Sequence, residues 1–133
     1  MAELTPAARA FLRELRFAAL ATINRDGTPQ QSTMWYDLDG DTILMNTAAG
    51  RVKHRNLLRD PRASICVVDG YRWVTISGHI ELNDDQTVAQ ADIKRLAIRY
   101  HGPEKGERQA RESFAKQHRV TLRLTMDRIV ESL

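Results

Sequence analysis

The chain has 133 residues, of which only one is a cysteine and 6% are aromatic. A single cysteine, Cys66, excludes an internal disulfide framework. It lies in an apolar run at 63–68, where we expect a buried structural thiol rather than a nucleophile. No apolar run approaches the roughly 20 residues of a membrane-spanning helix, and residues 1–15 lack the apolar block of a signal peptide. We therefore expect a single cytoplasmic domain spanning 1–133, with no membrane partner.

Several catalytic and metal-binding patterns are also missing. The sequence contains no Gly-x-Ser-x-Gly elbow, no Walker loop and no Gly-x-Gly-x-x-Gly turn. No two histidines have metal-ligand spacing, and the lone cysteine offers no second thiolate. We therefore expect no metal site, and no side chain stands out as a catalytic acid. The histidines are His54, His79, His101 and His118.

The balance of charge is mildly basic, with 20 Lys and Arg against 17 Asp and Glu, for a net charge of +3. Acidic residues are interspersed with the basic ones almost everywhere. A nucleic-acid binder usually combines a basic face with aromatic platforms. The charge therefore favours a small anionic ligand, and no nucleic-acid partner is expected.

The pattern of turns and apolar residues predicts six strands and several helices. Asp-Gly pairs mark tight turns after the first, second and fourth strands. Pro6 and Pro103 are suited to the first turn of a helix. The predicted strands are 17–23, 28–38, 42–47, 62–68, 71–82 and 119–130. The predicted helices are 6–15, 50–58, 84–100 and 103–117.

Consecutive hairpins predict an antiparallel sheet, and six strands of this length can curl into a small barrel. The fold class is therefore α+β rather than a βαβ repeat. In the last strand, the alternation of apolar residues changes phase before Ile129. A β-bulge near Asp127 would explain this change.

The basic stretch at 45–62 contains five of the 20 Lys and Arg residues and follows the third strand. Thr47 and small residues precede a helix start, where free backbone N–H groups and the helix dipole favour anions. Arg51 and Lys53 could close on a phosphate from two sides. A solvated basic helix explains the same pattern, and spacing alone does not decide between the two.

Two aromatic groups are further candidates. Ser32, Thr33, Met34 and Trp35 lie on the second strand and could line a flat ring system, or Trp35 could pack in a core or dimer contact. Tyr71, Arg72 and Trp73 suit a planar anionic ligand, and such residues are equally enriched at protein interfaces.

Three segments together resemble the pyridoxamine-phosphate-oxidase-like split-barrel family. They are LATINRDGTPQ at 20–30, MWY at 34–36 and RVKHRNLLRDPRAS at 51–64. The pattern is similar to the branch of short proteins that use the deazaflavin coenzyme F420. The chain lacks the Arg-rich C-terminal segment of true pyridoxamine-phosphate oxidases, so that activity is not expected.

The resemblance implies a six-stranded antiparallel split β-barrel with flanking helices, a homodimer, and cofactors at the dimer interface. Thr47, Arg51 and Lys53 would hold the cofactor phosphate, with Asn46 and Val52 adjacent. The ring would lie along Ser32, Thr33, Met34 and Trp35. Tyr71, Arg72 and Trp73 would approach from the partner chain.

The implied function is an F420-dependent oxidoreductase that transfers a hydride from reduced deazaflavin to an unsaturated or electron-poor small molecule. Flavin mononucleotide (FMN) is the alternative cofactor, because the Arg-x-Lys motif suits both phosphates. A cofactor carrier or sensor, or a haem-related protein of the same fold, is the alternative without turnover.

Overall fold

The computed structural model describes residues 2–133. Its helices are α1 (Pro6–Arg13), α2 (Val52–Arg59), α3 (Gln86–His101) and α4 (Pro103–Glu112), followed by a 3-10 turn at Phe114–Lys116. Its strands are β1 (Ala18–Ile23), β2 (Pro29–Met34), β3 (Asp37–Asp39), β4 (Thr42–Ala48), β5 (Arg62–Asp69), β6 (Arg72–Asn83) and β7 (Arg119–Ser132). The α+β class is confirmed.

The sheet has seven antiparallel strands in the order β2-β1-β5-β6-β7-β4-β3, not the predicted six. The difference arises at Trp35 and Tyr36, where the predicted second strand divides into β2 and β3. The Tyr36 amide donates to the phenol oxygen of Tyr100, and its carbonyl accepts from Arg99 Nε. These backbone groups are therefore bonded to α3 side chains rather than to a neighbouring strand.

The same division places β2 and β3 at opposite edges of the sheet, although only two residues separate them in the chain. So short a connection requires the sheet to curl until its edges approach each other. β2 and β3 are not paired, so the curled sheet stays open along this seam. β3 pairs with residues 42–44 only, which leaves the second half of β4 without a strand partner on that side.

The inner face of the curled sheet holds the main core. Met34, Tyr36 and Leu38 are all buried there, as their alternation predicts. The predicted bulge at Asp127 is confirmed, because Ser77 pairs with Arg128 and Gly78 pairs with Met126, so that Asp127 has no partner residue on β6. The extra residue returns Ile129 to the core side.

The opposite face of the sheet is covered only in part. α3 packs on β4 and β7 through Ala89, Ile93, Leu96 and Ala97, which are all buried. The remaining outward surface, here called the open sheet face, is partly or fully exposed. It consists of Ala19, Ala21, Cys66, Val68, Trp73, Thr75 and Val130.

Most predicted elements are present, and the helix ends differ. α1 begins as predicted, with the Thr5 side chain accepting from the Ala8 amide. α2 begins at Val52 rather than at residue 50, so Arg51 is its N-cap rather than a member of its first turn. The predicted helix at 103–117 ends at Glu112. Cys66 is only partly buried.

Two features are absent from residues 2–133. No helix there is long and apolar enough to cross a membrane. No group of three or more His, Cys, Asp or Glu side chains there could hold a metal ion.

Candidate functional site

The start of α2 is partly used by the protein itself. The Gly50 amide donates to His54 Nδ1 at 2.9 Å, and the Ala49 amide donates to the His118 carbonyl at 2.8 Å. These two groups are therefore not free to bind an anion. The amides of the first helical turn remain, because no side chain caps this terminus and the first turn has no preceding helical carbonyls.

Three cations surround this helix start: Arg51, Lys53 and Arg119. Within residues 2–133, none of them forms an ion pair with a carboxylate. Burial and the charges of Arg51 and Arg119 lower the pKa of Lys53. Burial, with the Arg51 charge, lowers the pKa of Arg119 to about 10. Such a group of cations favours a bound anion, because a nearby negative charge would raise the lowered pKa of Lys53 and of Arg119 again.

Arg119 is held firmly although it has no acidic partner, and it is only 5% exposed. Its Nε donates to Asn46 Oδ1 at 2.9 Å, and its Nη1 donates to Gln117 Oε1 at 2.7 Å. The guanidinium also lies 4.9 Å from the ring centroid of Phe114. Asn46 Nδ2 donates to the Ala89 carbonyl of α3, which fixes the other end of the amide.

These groups meet at a cavity of about 200 Å³ beside the open seam of the sheet. Its lining combines polar and cationic groups with apolar and aromatic side chains. Such a lining suits an anionic ligand that also carries a flat or apolar part. The lining residues are Thr33, Met34, Trp35, Asn46, Arg51, Ile93, Leu96, Phe114, Gln117 and Arg119.

Trp35 lies in an aromatic cluster and also lines the cavity. Its indole stacks on Tyr100 with ring centroids 5.3 Å apart, and it meets His101 and Phe114 edge-on at 5.0 and 6.3 Å. Phe17 stacks on Tyr100 at 5.4 Å. Trp35 is therefore both packed against other aromatic rings and part of the cavity wall.

Five of the predicted site residues meet at this cavity: Thr33, Met34, Trp35, Asn46 and Arg51. Lys53 is near enough for its pKa to respond to Arg51 and Arg119. Among the described residues, Thr47 Oγ1 is the one buried side-chain polar atom without a hydrogen-bond partner. Its strand neighbour Asn46 points to the opposite face, toward α3.

The other predicted residues do not line the cavity of their own chain. Val52 is 42% exposed at the start of α2. Ser32 of β2 pairs with Leu20 of β1. Tyr71 is 98% exposed in the β5–β6 turn, and Arg72 lies over the Phe11 ring at 5.1 Å. Trp73 belongs to the open sheet face, opposite Val68.

Sequence reasoning missed half of the lining: Ile93, Leu96, Phe114, Gln117 and Arg119. The apolar positions of α3 are as typical of a core as of a cavity wall. Arg119 gives no clear signal in the sequence, because it opens the polar face of the last strand, which continues through Thr121 and Arg123. The pairing of β7 with β4, which carries Arg119 beside Ala48, is too distant in sequence to read from local patterns.

The fold and the cavity define an open split-barrel protein with a cationic, aromatic-walled ligand site. A family model described as pyridoxamine 5'-phosphate oxidase matches residues 4–131, and the chain belongs to this family. This membership confirms the resemblance found in the sequence.

Individual relatives agree with this assignment. The chain is 28% identical over 131 residues to an F420H(2)-dependent biliverdin reductase of Mycobacterium tuberculosis (strain CDC 1551 / Oshkosh), covering 97% of this chain and 88% of the relative. It superposes on the crystal structure of conserved hypothetical protein Rv2991 from Mycobacterium tuberculosis with a TM-score of 0.83 and 29% identity, covering 97% and 84% of the two chains. A structure described as an F420 reductase gives a TM-score of 0.77 at 25% identity, covering 96% and 98%.

Proposed function

We propose that the protein is an F420-dependent oxidoreductase that transfers a hydride to an unsaturated or electron-poor small molecule. The observation that carries this proposal is the group of unpaired cations beside an aromatic-walled cavity at the seam of the sheet. Two relatives whose descriptions name F420 support it at 28% and 25% identity.

The residues fit a phosphorylated ring cofactor. In the proposed arrangement Arg51 and Lys53 bind the phosphate, the Thr47 hydroxyl supplies a donor, and Asn46 and Val52 flank the group. The buried Thr47 hydroxyl supports this fit, because it has no partner among the described residues and a buried polar group without a bond is costly.

The ring would lie along Ser32, Thr33, Met34 and Trp35. Trp35 is well suited to fix a ring, since its stacking on Tyr100 and its edge contacts restrict its own orientation. F420 would supply the hydride chemistry when bound. The protein's part is to bind the phosphate, hold the ring against β2 and keep the substrate beside it.

We further propose that two copies associate through the open sheet face. This surface consists of small and apolar side chains such as Ala19, Ala21 and Val68, and Val68 is 56% exposed in the single chain. Contiguous exposed apolar surface of this kind marks an interaction site. Trp73 belongs to this face, and Tyr71 and Arg72 precede it in the chain. These three residues would then complete the cofactor site of the second copy.

The test is a fluorescence titration of the purified protein with F420 and, separately, with FMN. We expect micromolar or tighter binding of F420, weaker binding of FMN, and a large loss of affinity in the double variant Arg51→Gln/Lys53→Gln. The matched control is Lys105→Gln/Arg108→Gln, which removes two exposed charges from α4. Equal affinity in the two double variants would contradict the phosphate assignment.

Turnover is tested by mixing the protein with reduced F420 and a panel of unsaturated acceptors. Oxidation of the cofactor that depends on both protein and acceptor supports the enzyme. Tight cofactor binding without turnover across the panel would identify a carrier instead. Tighter binding of FMN than of F420 would transfer the proposal to a flavin-dependent activity.

A further inference from the structure

Arg119 differs from three arginines of this fold that are held by carboxylates. Arg123, four residues along the same strand, donates to Asp39 Oδ2 at 2.8 Å, and Arg95 pairs with Asp37 at 3.0 Å. Arg16 is held by Asp69 at 3.0 Å. Arg119 is buried, yet no acidic side chain within residues 2–133 pairs with it.

A buried cation without a counterion is costly for a protein to maintain. Here two neutral acceptors, Asn46 Oδ1 and Gln117 Oε1, hold Nε and Nη1 in place. No described residue accepts from Nη2, and this nitrogen is not among the fully buried atoms that lack a partner. The guanidinium therefore presents a positioned, charged donor to the cavity that it lines.

The surroundings of this donor define the ligand further. The same cavity is lined by Trp35 and Phe114, with Ile93 and Leu96 of α3, and the Phe114 ring lies against the guanidinium itself. A cavity of about 200 Å³ is smaller than the roughly 300–1,000 Å³ of sites for drug-sized ligands, so it accepts one ring or a short unsaturated chain. A flexible polar acid would leave the apolar walls unfilled.

We propose that Arg119 is a specificity-determining residue that receives the carboxylate of a compact aromatic or unsaturated acid. The carboxylate site adjoins the proposed phosphate group of Thr47, Arg51 and Lys53, because Arg51 lines the same cavity. It names the substrate class of the proposed oxidoreductase. The inference rests on the proposed function for the statement that the ligand of this cavity is a substrate. Carboxylate binding itself needs no cofactor.

The experiment titrates the whole protein, without cofactor, with benzoate and with its neutral analogue benzamide. NMR signals of the two indole N–H groups report the binding, because Trp35 lines the cavity and Trp73 does not. We expect benzoate to shift the Trp35 signal and to bind at least about tenfold more tightly than benzamide, as charged hydrogen bonds typically give.

Two variants test the role of the guanidinium. Arg119→Gln should weaken benzoate binding by about 10- to 100-fold. Gln117→Glu should weaken benzoate binding similarly. The Gln117 side chain already accepts from Arg119 Nη1 at 2.7 Å, so a carboxylate at this position would pair with the guanidinium and compete with benzoate. This second variant gives Arg119 an ion pair, so it decides the question if Arg119→Gln fails to fold. Lys116→Gln is the control, since it removes an exposed charge close by.

The proposal would be overturned by equal binding of benzoate and benzamide, by unchanged benzoate affinity in folded Gln117→Glu, or by a benzoate response confined to Trp73. The acidic tail of a cofactor is the other source of carboxylates, so triglutamate is titrated in parallel. Tighter binding of triglutamate than of benzoate would overturn the assignment to an apolar acid. Benzoate binding in a protein that fails to bind F420 would leave this inference standing and reject the proposed function.

Discussion

The indole of Trp35 lies nearly parallel to the phenol ring of Tyr100, with ring centroids 5.3 Å apart and planes inclined by 12°. The same phenol accepts from the Tyr36 amide and donates to the Arg16 carbonyl. One α3 side chain therefore joins the chain before β1 to the corner between β2 and β3. It also sets the plane of the residue that walls the cavity.

Tyr100→Phe keeps the ring stack and removes the phenol oxygen. We expect a loss of about 1–3 kcal/mol in the free energy of unfolding, because the Tyr36 amide loses its acceptor. Denaturant unfolding measures this loss. Tyr71→Phe is the control, since the Tyr71 side chain is exposed, and an equal change in both variants would contradict the role of the Tyr36 bond.

Gly78 is required by the bulge rather than by a turn. A Cβ at this position would lie 1.7 Å from the Thr125 carbonyl oxygen, which is backbone and cannot rotate away. We expect Gly78→Ala to lower the free energy of unfolding by about 2–3 kcal/mol. Ser77→Ala, on the adjacent residue of β6, should change it far less in the same denaturation experiment.

Lys53 destabilises the folded protein near neutral pH. Its pKa is lowered in the folded state, first by burial and then by Arg51 and Arg119. The unfolded chain therefore binds the proton more tightly, and stability rises with pH between the lowered pKa and the ordinary value of 10.5. This destabilisation is complete below the lowered pKa and disappears as the pH rises past 10.5.

Lys53→Met should thus stabilise the protein near pH 7 by up to about 1 kcal/mol, since the side chain is only half-buried and solvent screens its charge. The gain should shrink as the pH approaches 10.5. The same variant should lose affinity for F420. Unfolding curves across this pH range check the sign, and a gain independent of pH would show that packing, not charge, causes it.

The open sheet face predicts the consequence of a charge placed on it. Ala19 is exposed and lies between Thr33 on β2 and Cys66 on β5. In Ala19→Arg we expect the native mass to fall from twice 15.2 kDa to 15.2 kDa in sedimentation experiments. F420 affinity should fall at least about tenfold, because each site would lose the second copy's contribution.

Val88→Arg adds the same charge to the exposed side of α3 and serves as the control. It should keep both the dimer mass and the affinity. A wild-type protein that sediments at 15.2 kDa would contradict the dimer without affecting the phosphate assignment.

The fold could be predicted from the sequence wherever local rules apply. Thr5 and Pro6 predict the start of α1, and the phase change at Ile129 predicts the bulge at Asp127. The division of the second strand could not be predicted, because Trp35 and Tyr36 continue the alternation without interruption. The chain turns there since Tyr100 and Arg99, more than 60 residues away, bind the Tyr36 backbone.

The candidate site was predictable to a similar extent. Arg51, Trp35 and Asn46 line one cavity, and their role in binding a cofactor stays a prediction. The far wall depends on how α3 and the 3-10 turn pack, which residues 86–117 do not reveal by periodicity alone. Ile93 has the same apolar character whether it faces a core or a ligand.

The strand order has a consequence for synthesis on the ribosome. β7 contains the final residues of the sheet, yet it lies between β6 and β4 near the middle. Until residues 119–132 emerge, β2-β1-β5-β6 and β4-β3 remain two separate pieces, each with an unpaired edge and half of an apolar core. The ligand cavity, whose Arg119 opens this strand, can therefore form only after residues 119–132 have emerged.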